Sequence, residues 1–285
     1  MHVCARIALL ALVPISGCVE AGTVVTISSF VGDPKGLAVD AAGNLFVGDD
    51  ANHVIKEILA SGGYTTVNTF PAGISTPCGL ALDSAANIIV GDFDGNVGID
   101  EITYASGYST VNLLVHDQSP NGVAVDAAGN VFYTDSANNL VREIPFGGGP
   151  ILTLGSGFSF PAGLALDASG NLFVADENHG VIKEILANGG YTTVLTVASG
   201  LSSPTAVAVD SVGNVYTVDL GSGLAKEFLA STAYTTAVTL AGGFNHPYSV
   251  AVDASGNVFV SDQYNHALKE IIAATPVRLQ TFDVE

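Results

Sequence analysis

Histidines and carboxylates are the residues of this chain whose types and positions could carry chemistry. His53, His179 and His266 each follow an asparagine in a short polar segment, and His116 and His246 each lie shortly before a proline. Histidine titrates near neutral pH and is a common ligand of transition metals. The sequence therefore allows a zinc-type site or an acid–base pair, depending on how the fold places these five side chains.

Other catalytic signatures are absent from the sequence. It contains no G-x-S-x-G segment, no H-E-x-x-H segment and no phosphate-binding loop. The glycine-rich segment Pro145 to Pro150, "PFGGGP", is interpreted as a shortened turn. Cys78 is the single cysteine of the chain body, and we interpret it as structural rather than nucleophilic.

A repeat organises these residues. Each copy carries an apolar run that ends in an aspartate, followed by a turn and a second β-rich run. The copies begin near residues 34, 77, 120, 161, 204 and 247, so they recur every 43 residues, with 41 between the third and the fourth. A period of this length indicates a repeat architecture that folds as one domain.

One copy predicts four short strands. In the copy that begins at Pro161, "AGLALD" and "LFVAD" flank a turn, and "VIKEIL" and "YTTVLTV" follow. A lone four-stranded sheet cannot bury both faces, whereas six sheets packed around an axis can. The sequence therefore predicts an all-β fold, a six-bladed β-propeller of four-stranded antiparallel blades.

Two sets of repeated residues have structural explanations. Large side chains inside the second strand are expected to fill the space between blades: Phe46, Ile89, Phe132, Phe173, Tyr216 and Phe259. The aspartates that end the second strand are interpreted as turn caps rather than six active sites: Asp49, Asp92, Asp135, Asp176, Asp219 and Asp262.

The termini must close the ring. The segment Thr23 to Phe30 keeps the register of a fourth strand, so we expect it to pair with Ala267 to Ile272 of the last copy. The segment Pro276 to Phe282 competes for the same place, because it also reads as a strand that begins at a proline. The propeller is expected to span residues 23–274, with residues 275–285 as a tail or as the alternative closing strand.

Three of the copies carry a recognisable motif. "NHVIKEI" from Asn52, "NHGVIKEI" from Asn178 and "NHALKEI" from Asn265 are each preceded by a DxxGN turn, and over residues 23 to 272 the chain resembles the NHL-repeat family. The resemblance implies a six-bladed propeller and, for most members, a binding or scaffolding role. The family also includes peptide-amidating lyases that bind zinc through propeller histidines, and streptogramin lyases are related propellers. Copies two, three and five lack the histidine, which excludes a role that needs all six.

On this plan the five histidines share one face. Loops between the second and third strands, and loops between blades, emerge on the same side, and we expect a binding face made by Asp50, His53, His116, His179, His246, Tyr248, Tyr264 and His266. The repeated histidines are interpreted as hydrogen-bonding within their own blades. His116 and His246 are expected to face each other across the channel mouth, where they are the catalytic candidates and, with His266, the metal-ligand candidates. A structural calcium or a zinc ion is compatible with the sequence but not required by it.

The N-terminal segment predicts an extracytoplasmic protein. Residues 1–17 read as a signal peptide, and Ile15-Ser16-Gly17-Cys18 resembles a bacterial lipobox in which Cys18 is lipidated. Cleavage near Ala21 and retention as an anchor are the alternatives, and residues 18–22 are a tether. We expect a periplasmic, cell-envelope or secreted protein that touches the membrane only through this segment.

Composition limits the partners. The formal net charge is −19 at pH 7, with only 8 basic residues, so nucleic acid is not an expected partner. The expected function is a monomeric binding or scaffold module for a protein, a peptide or a glycan. The alternative is a metal-assisted lyase or hydrolase that uses the histidines at the channel mouth.

Overall fold

The computed structural model describes residues 22–29, 32–71, 73–93, 98–117 and 119–272. Within these ranges the chain forms 24 β-strands in six four-stranded antiparallel sheets, and its helical elements are six short 3-10 turns. The predicted all-β propeller is confirmed. No helix among the described residues is long and apolar enough to cross a bilayer.

The first three blades follow the chain in order, with strands a to d running from the axis outward. Blade 1 contains β2 (Pro34–Val39), β3 (Leu45–Asp49), β4 (Val54–Leu59) and β5 (Thr66–Pro71). Blade 2 contains β6 (Pro77–Leu82), β7 (Ile88–Asp92), β8 (Gly98–Ile102) and β9 (Val111–His116). Blade 3 contains β10 (Pro120–Val125), β11 (Val131–Asp135), β12 (Leu140–Ile144) and β13 (Leu152–Leu154).

The other three blades complete the ring. Blade 4 contains β14 (Pro161–Leu166), β15 (Leu172–Asp176), β16 (Val181–Ile185) and β17 (Val194–Ala198). Blade 5 contains β18 (Pro204–Val209), β19 (Val215–Asp219), β20 (Leu224–Phe228) and β21 (Ala237–Gly242). Blade 6 contains β22 (Pro247–Val252), β23 (Val258–Asp262), β24 (Ala267–Ile272) and, as its outermost strand, β1 (Thr23–Ser29).

The N-terminal strand closes the ring as predicted. β1 pairs antiparallel with β24, with Thr23 opposite Ile272 and Ser29 opposite Ala267. Phe30, at the end of the predicted strand, lies outside the described residues, as do the signal segment and the competing segment Pro276 to Phe282. Because β1 fills the outer position of blade 6, the last blade has the same four-stranded form as the others.

The a–b turns show why five of the six copies carry the DxxGN motif, which in blade 2 reads DSAAN with Ala86 at the glycine position. Asp40 accepts the backbone N–H groups of Ala42 and Asn44, and the Asn44 side chain donates to the same carboxylate. The side-chain carbonyl of Asn44 in turn accepts the N–H of Ala60 in the c–d turn. Gly43 has a φ of 82°, a conformation that glycine adopts without strain. The motif therefore stabilises both turns at this end of a blade.

The aromatic residues of the b strands lie between blades, as predicted. Phe46, Phe132, Phe173 and Phe259 have exposed fractions of 3% or less, and their rings pack against apolar residues of the next blade. Burying an aromatic side chain of this size contributes about 2–3 kcal/mol. The blade-to-blade contacts are therefore the hydrophobic core of the ring.

The central channel is narrow because the a strands approach each other closely. A Cβ atom on Gly79 would lie 2.1 Å from the Asn121 carbonyl oxygen, and one on Gly163 would lie 2.5 Å from the Cα of Ala206. The interior of the channel holds a cavity of about 50 Å³ lined by the a strands. The channel is wider at its mouth, beside the residues that follow the repeated prolines.

Candidate functional site

The end of the propeller that carries the b–c loops and the blade-to-blade loops is called here the b–c face. Six buried aspartates stand on it, one at the end of each b strand, with exposed fractions of 0 to 3%. Each accepts hydrogen bonds from backbone or side-chain groups of the loops around it. Asp92, for example, accepts the N–H groups of Ser75 and Thr76, and Asp176 accepts the N–H of Ser159.

Five of the six aspartates also pair with a cation from the neighbouring c strand. The pairs are Lys56 with Asp49, Arg142 with Asp135, Lys183 with Asp176, Lys226 with Asp219 and Lys269 with Asp262. Burial by itself raises the pKa of Asp49, but hydrogen bonds from Lys56 and Asn52 outweigh it and leave the pKa lowered. Asp49 is therefore charged and paired with Lys56, and the same pairing recurs in the other four blades, which is the arrangement of a structural anchor.

Blade 2 departs from this pattern. Asp100 occupies the place of the cation on its c strand, opposite Val90, just as Lys56 lies opposite Val47. Asp100 is 7% exposed. Burial and the nearby Asp92 raise the pKa of Asp100 to about 6, while His116 opposes the shift. Blade 2 thus holds two carboxyl groups where the other blades hold an ion pair.

Two of the repeated histidines join neighbouring loops. His53 and His266 are exposed, have φ values of 56° and 50°, and lie at the ends of 3-10 turns. Their Nδ1 atoms hydrogen-bond to the backbone carbonyls of Ser75 and Gly32, at 2.5 Å in each case. Both carbonyls belong to the loop that leads into the next blade, so these histidines connect adjacent blades rather than stay within their own.

His179 is not equivalent to the other two, although the motif suggests it. In blade 4 the left-handed position is taken by Gly180, with a φ of 65°, and His179 lies one residue earlier. Its Nδ1 atom contacts Asp176 Oδ2 at 2.8 Å, in the way that Asn52 donates to Asp49. The extra glycine in "NHG" therefore shifts the histidine from a loop-bridging position to an aspartate-capping position.

The structure does not bring His116 and His246 together. His116 is the last residue of β9, the outermost strand of blade 2, where it pairs with Gly98 and is exposed. Among the described residues, no group of three or more histidine, cysteine, aspartate or glutamate side chains is arranged to hold a metal ion. The geometry of the described residues therefore does not favour the predicted pairing across the channel mouth or a metal site built on it.

His246 lies at the channel mouth. Its Nδ1 atom is 2.6 Å from Gln263 Oε1, and its ring stacks on Tyr264, with centroids 4.2 Å apart and planes 15° apart. Tyr264 is 55% exposed. The stacked pair forms one rim of the mouth.

A cavity of about 350 Å³ opens between the blades at this mouth. Its wall contains the residue that follows each of the six repeated prolines: Lys35, Cys78, Asn121, Ala162, Thr205 and Tyr248. Phe93, Phe160, Glu177, Leu220 and His246 surround this inner set. The cavity therefore combines a cation, a carboxylate, hydroxyl and amide groups, an imidazole, and the rings of two phenylalanines and a tyrosine.

The polar groups of the mouth are held in place by one another. Tyr248 Oη donates to Asn121 Oδ1 at 3.2 Å, and Thr205 Oγ1 donates to the Pro247 carbonyl at 3.0 Å. Lys35 Nζ lies 2.9 Å from Asp50 Oδ2. These contacts fix the donors and acceptors before any ligand enters, which reduces the ordering cost of binding.

The environment also sets the protonation states. Burial by itself lowers the pKa of Lys35, but Cys78, Asp50 and Asp33 raise it, and the net pKa is raised. Burial raises the pKa of Tyr248 well above its usual value, and the neighbouring Cys78 adds to this. At neutral pH the mouth therefore presents an ammonium group and a protonated phenol.

The expected binding face is only partly the observed cavity wall. His246 and Tyr248 line the cavity, Tyr264 and Asp50 contact its wall residues, and the remaining predicted histidines lie in loops or strand ends farther out. Sequence reasoning did not identify Lys35, Asn121, Thr205 and Glu177. The available signal was the position after each proline, where all six copies carry a different residue.

Comparisons with known proteins identify the fold alone. No protein-family model matches the sequence, and no curated protein matches it. Similar solved structures include a gluconolactonase from Xanthomonas campestris, with a TM-score of 0.76 and 17% identity over 90% of this chain and 91% of that one. A streptogramin B lyase has a TM-score of 0.65 and 12% identity over 90% and 99% of the two chains. An auxiliary nutrient binding protein from Bacteroides thetaiotaomicron has a TM-score of 0.72 and 15% identity over 87% and 75%.

Proposed function

We propose that this propeller is a binding module whose ligand enters the channel mouth on the b–c face. The observation that carries the proposal is the contrast between repeated and unrepeated positions. The six copies agree at the proline and at the buried aspartate, yet they differ at the position after the proline, where all six residues line one cavity. Folding explains the first set, whereas a ligand gives a reason for the second.

The ligand class that fits is a carbohydrate, as a free sugar or as the end of a glycan. Lys35, Asn121, Thr205 and Tyr248 supply donors and acceptors of both kinds, which suits a molecule with several hydroxyl groups. Phe93 and Phe160 add aromatic surface for the apolar face of a sugar ring. The cavity volume of about 350 Å³ is at the small end of the usual range for ligand sites, about 300–1,000 Å³.

A panel of sugars tests this proposal. Glucose, galactose, N-acetylglucosamine and the β-1,4-linked disaccharides of glucose and N-acetylglucosamine would be titrated into the protein and followed by ligand-observed NMR. We expect at least one saturable ligand, with binding weakened about tenfold or more by Tyr248→Phe combined with Thr205→Val, since each loses a hydrogen-bonding hydroxyl.

The matched control is Thr196→Val, the same chemical change on β17 of the outer rim, where Thr196 is exposed. This variant should bind every sugar as the native protein does. If no sugar binds, or if the control weakens binding as much as the mouth variant, the carbohydrate assignment is wrong.

A second candidate function is acid–base catalysis at the same mouth. His246 lines the cavity and engages only Nδ1 among the described residues, which leaves Nε2 for a substrate, and Glu177 and Lys35 lie in the same wall. A lyase or hydrolase of this kind predicts turnover of a bound ligand that His246→Gln abolishes while binding persists. Turnover that survives the substitution would remove this candidate.

Family membership and location belong to the proposal as well. The NHL-type repeat, the secretory segment and lipidation at Cys18 together describe a cell-envelope or secreted binding protein that acts as a monomer. Intact-mass measurement of the protein purified from membranes tests the anchor. A diacylglyceryl mass on a chain that begins at Cys18 supports it, and a chain that begins near Gly22 or at Met1 contradicts it.

A further inference from the structure

Tyrosines seal the interfaces between blades at the opposite end of the ring, where the a–b and c–d turns lie. Tyr64, Tyr108, Tyr191 and Tyr234 each occupy the c–d turn of one blade and contact an aromatic residue on the b strand of the preceding blade. Their ring centroids lie 5.7 to 6.2 Å from the partner centroid. The same phenolic ring thus fills the same place in four interfaces.

Three of these tyrosines make the same hydrogen bond, and all four have the same backbone conformation. Tyr108, Tyr191 and Tyr234 donate their hydroxyls to the carbonyls of Ala86, Gly170 and Gly213, which are equivalent residues of the a–b turns. All four have positive φ values between 59° and 62°. Burial raises the pKa of Tyr108 to about 12, so the ring is held as a neutral phenol.

Blade 3 lacks this tyrosine. Its c–d turn, Pro145 to Pro150, is two residues shorter than that of blade 4, and it brings no tyrosine to the interface with blade 2. A cavity of about 330 Å³ lies there. Ile89 and Ile144 form part of its wall, together with Gly129, which is the turn residue equivalent to Ala86, Gly170 and Gly213.

An exposed aromatic ring completes the cavity. Phe146 lines it and is 75% exposed. Phe146 donates its backbone N–H to Asn130, as Tyr104 of blade 2 does to Asn87, so the two residues are equivalent. Tyr104 contacts the inserted Tyr108 edge-on, with centroids 5.5 Å apart. Phe146 is therefore placed to make the same edge-on contact with a tyrosine ring, but blade 3 has no tyrosine at the position of Tyr108.

The groove between blades 1 and 2 differs from this cavity in that a tyrosine ring already lies in its wall. Between blades 1 and 2 a more open groove of about 640 Å³ has Tyr104 and Tyr108 in its wall, so the ring position is already occupied there. Between blades 2 and 3 the ring position itself is part of the cavity. The carboxylates Asp83 and Glu101 at its edge disfavour an anionic ligand.

We propose that the cavity between blades 2 and 3 binds a neutral tyrosyl side chain presented by a partner polypeptide. The ring lies between Ile89, Ile144 and Phe146, and its hydroxyl donates to the Gly129 carbonyl, as the native tyrosines do in blades 2, 4 and 5. The site is on the opposite face from the channel mouth and does not depend on the carbohydrate proposal.

N-acetyl-L-tyrosinamide is the probe, followed in the full chain by the methyl NMR signals of Ile89 and Ile144 and by calorimetric stoichiometry. We expect one saturable site in which both methyl groups shift. N-acetyl-L-phenylalaninamide should bind about threefold to tenfold more weakly, because it lacks the hydroxyl. Absence of saturable binding, or equal affinity for the two amides, overturns the proposal.

Two variants test whether the tyrosyl side chain binds in the cavity between blades 2 and 3. Replacing residues 145–151 by the blade 4 turn, residues 186–194, installs a tyrosine, and it should abolish binding without lowering the thermal midpoint. Tyr191→Gly keeps the positive φ and opens the equivalent cavity between blades 3 and 4, so the stoichiometry should rise from one to two. If Tyr191→Gly does not fold, Tyr234→Gly makes the same test between blades 4 and 5. Binding unchanged by the grafted turn contradicts the proposal.

Discussion

Two rings of residues on the b–c face lie one residue apart and follow opposite rules. In every blade the first proline pairs directly with the buried aspartate across the a and b strands, as Pro34 does with Asp49. The next residue along the a strand faces the channel mouth and is different in each blade. The repeated ring and the unrepeated ring thus separate the residues that hold the fold from those available to a ligand.

Blade 2 is a natural exception within the repeated ring. Asp92 keeps its backbone hydrogen bonds, but Asp100 replaces the cation that neutralises the other aspartates. The propeller still closes with this blade in place, so five ion pairs and one carboxyl pair are compatible with the fold. Changes in the repeated ring should therefore alter stability, and changes in the unrepeated ring should alter binding.

The largest expected effect comes from Lys183→Met. This change removes the lysine counter-ion of Asp176, a carboxylate that is 0% exposed and keeps its contacts with the Ser159 N–H and His179 Nδ1. Loss of one partner of a buried pair costs about 3–5 kcal/mol, so urea unfolding at pH 7 should show a loss of this size. Lys226→Met should cost less, because Lys226 Nζ is 3.9 Å from Asp219. Adding Asp176→Asn to Lys183→Met should restore part of the stability. If Lys183→Met alone costs less than about 1 kcal/mol, the pair contributes no more than an exposed salt bridge does, and the prediction is wrong.

Asp100→Lys should give the next largest effect, with the opposite sign. It places in blade 2 the cation that the other five blades carry beside the same aspartate. We expect stability at pH 7 to rise by about 3–4 kcal/mol, since a repulsive carboxyl pair becomes an ion pair. The measurement is urea unfolding beside the native protein. A destabilised variant would show that Asp100 has a partner role of its own.

Asp100→Asn sharpens the same comparison through pH. The pKa of Asp100 is raised by burial and by Asp92 to about 6, from 3.8, so its carboxyl contribution is fully present below about pH 4 and is lost as the pH rises through 6. The native protein should therefore lose up to about 3 kcal/mol over this interval relative to the variant. Unfolding free energies measured from pH 4 to 8 test this, and parallel curves would contradict it.

The smallest stability effect is expected in the unrepeated ring. Tyr248→Phe removes one hydrogen bond to Asn121 and should cost about 1 kcal/mol of stability. The same change should weaken sugar binding, whereas Asp100→Asn should leave it unaltered. Thermal unfolding and the NMR titration of both variants measure the contrast. If Asp100→Asn weakened sugar binding and Tyr248→Phe did not, the repeated and unrepeated rings would not have the separate roles assigned to them.

The fold could be predicted well from the sequence because the same pattern of strands and turns recurs in six copies. The strand pattern, the interblade aromatics and the N-terminal closing strand follow from periodicity and register. The substitution at Asp100 was also readable, since "GIDEI" departs from "VIKEI" at the residue that is a lysine or an arginine in the other five copies. Its meaning depended on knowing that the lysine reaches a buried aspartate across the sheet.

The site was less predictable for geometric reasons. His179 matches the motif in letters, but Gly180 takes the left-handed position and shifts the histidine by one residue. His116 lies only four residues before the a strand of blade 3 in sequence. It nevertheless ends the outermost strand of blade 2, far from the axis of the ring. The cavity wall is made by residues from all six blades, which come together only when the ring closes. A local sequence pattern therefore does not predict which residues line it.

The most direct test of the account is a crystal structure of the protein soaked with the tightest-binding sugar of the panel. We expect a sugar ring inside the channel mouth, with its hydroxyl groups within hydrogen-bonding distance of Thr205, Tyr248 or Lys35. A sugar bound on another surface, with the mouth unchanged, would contradict the claim that the unrepeated ring is the binding site.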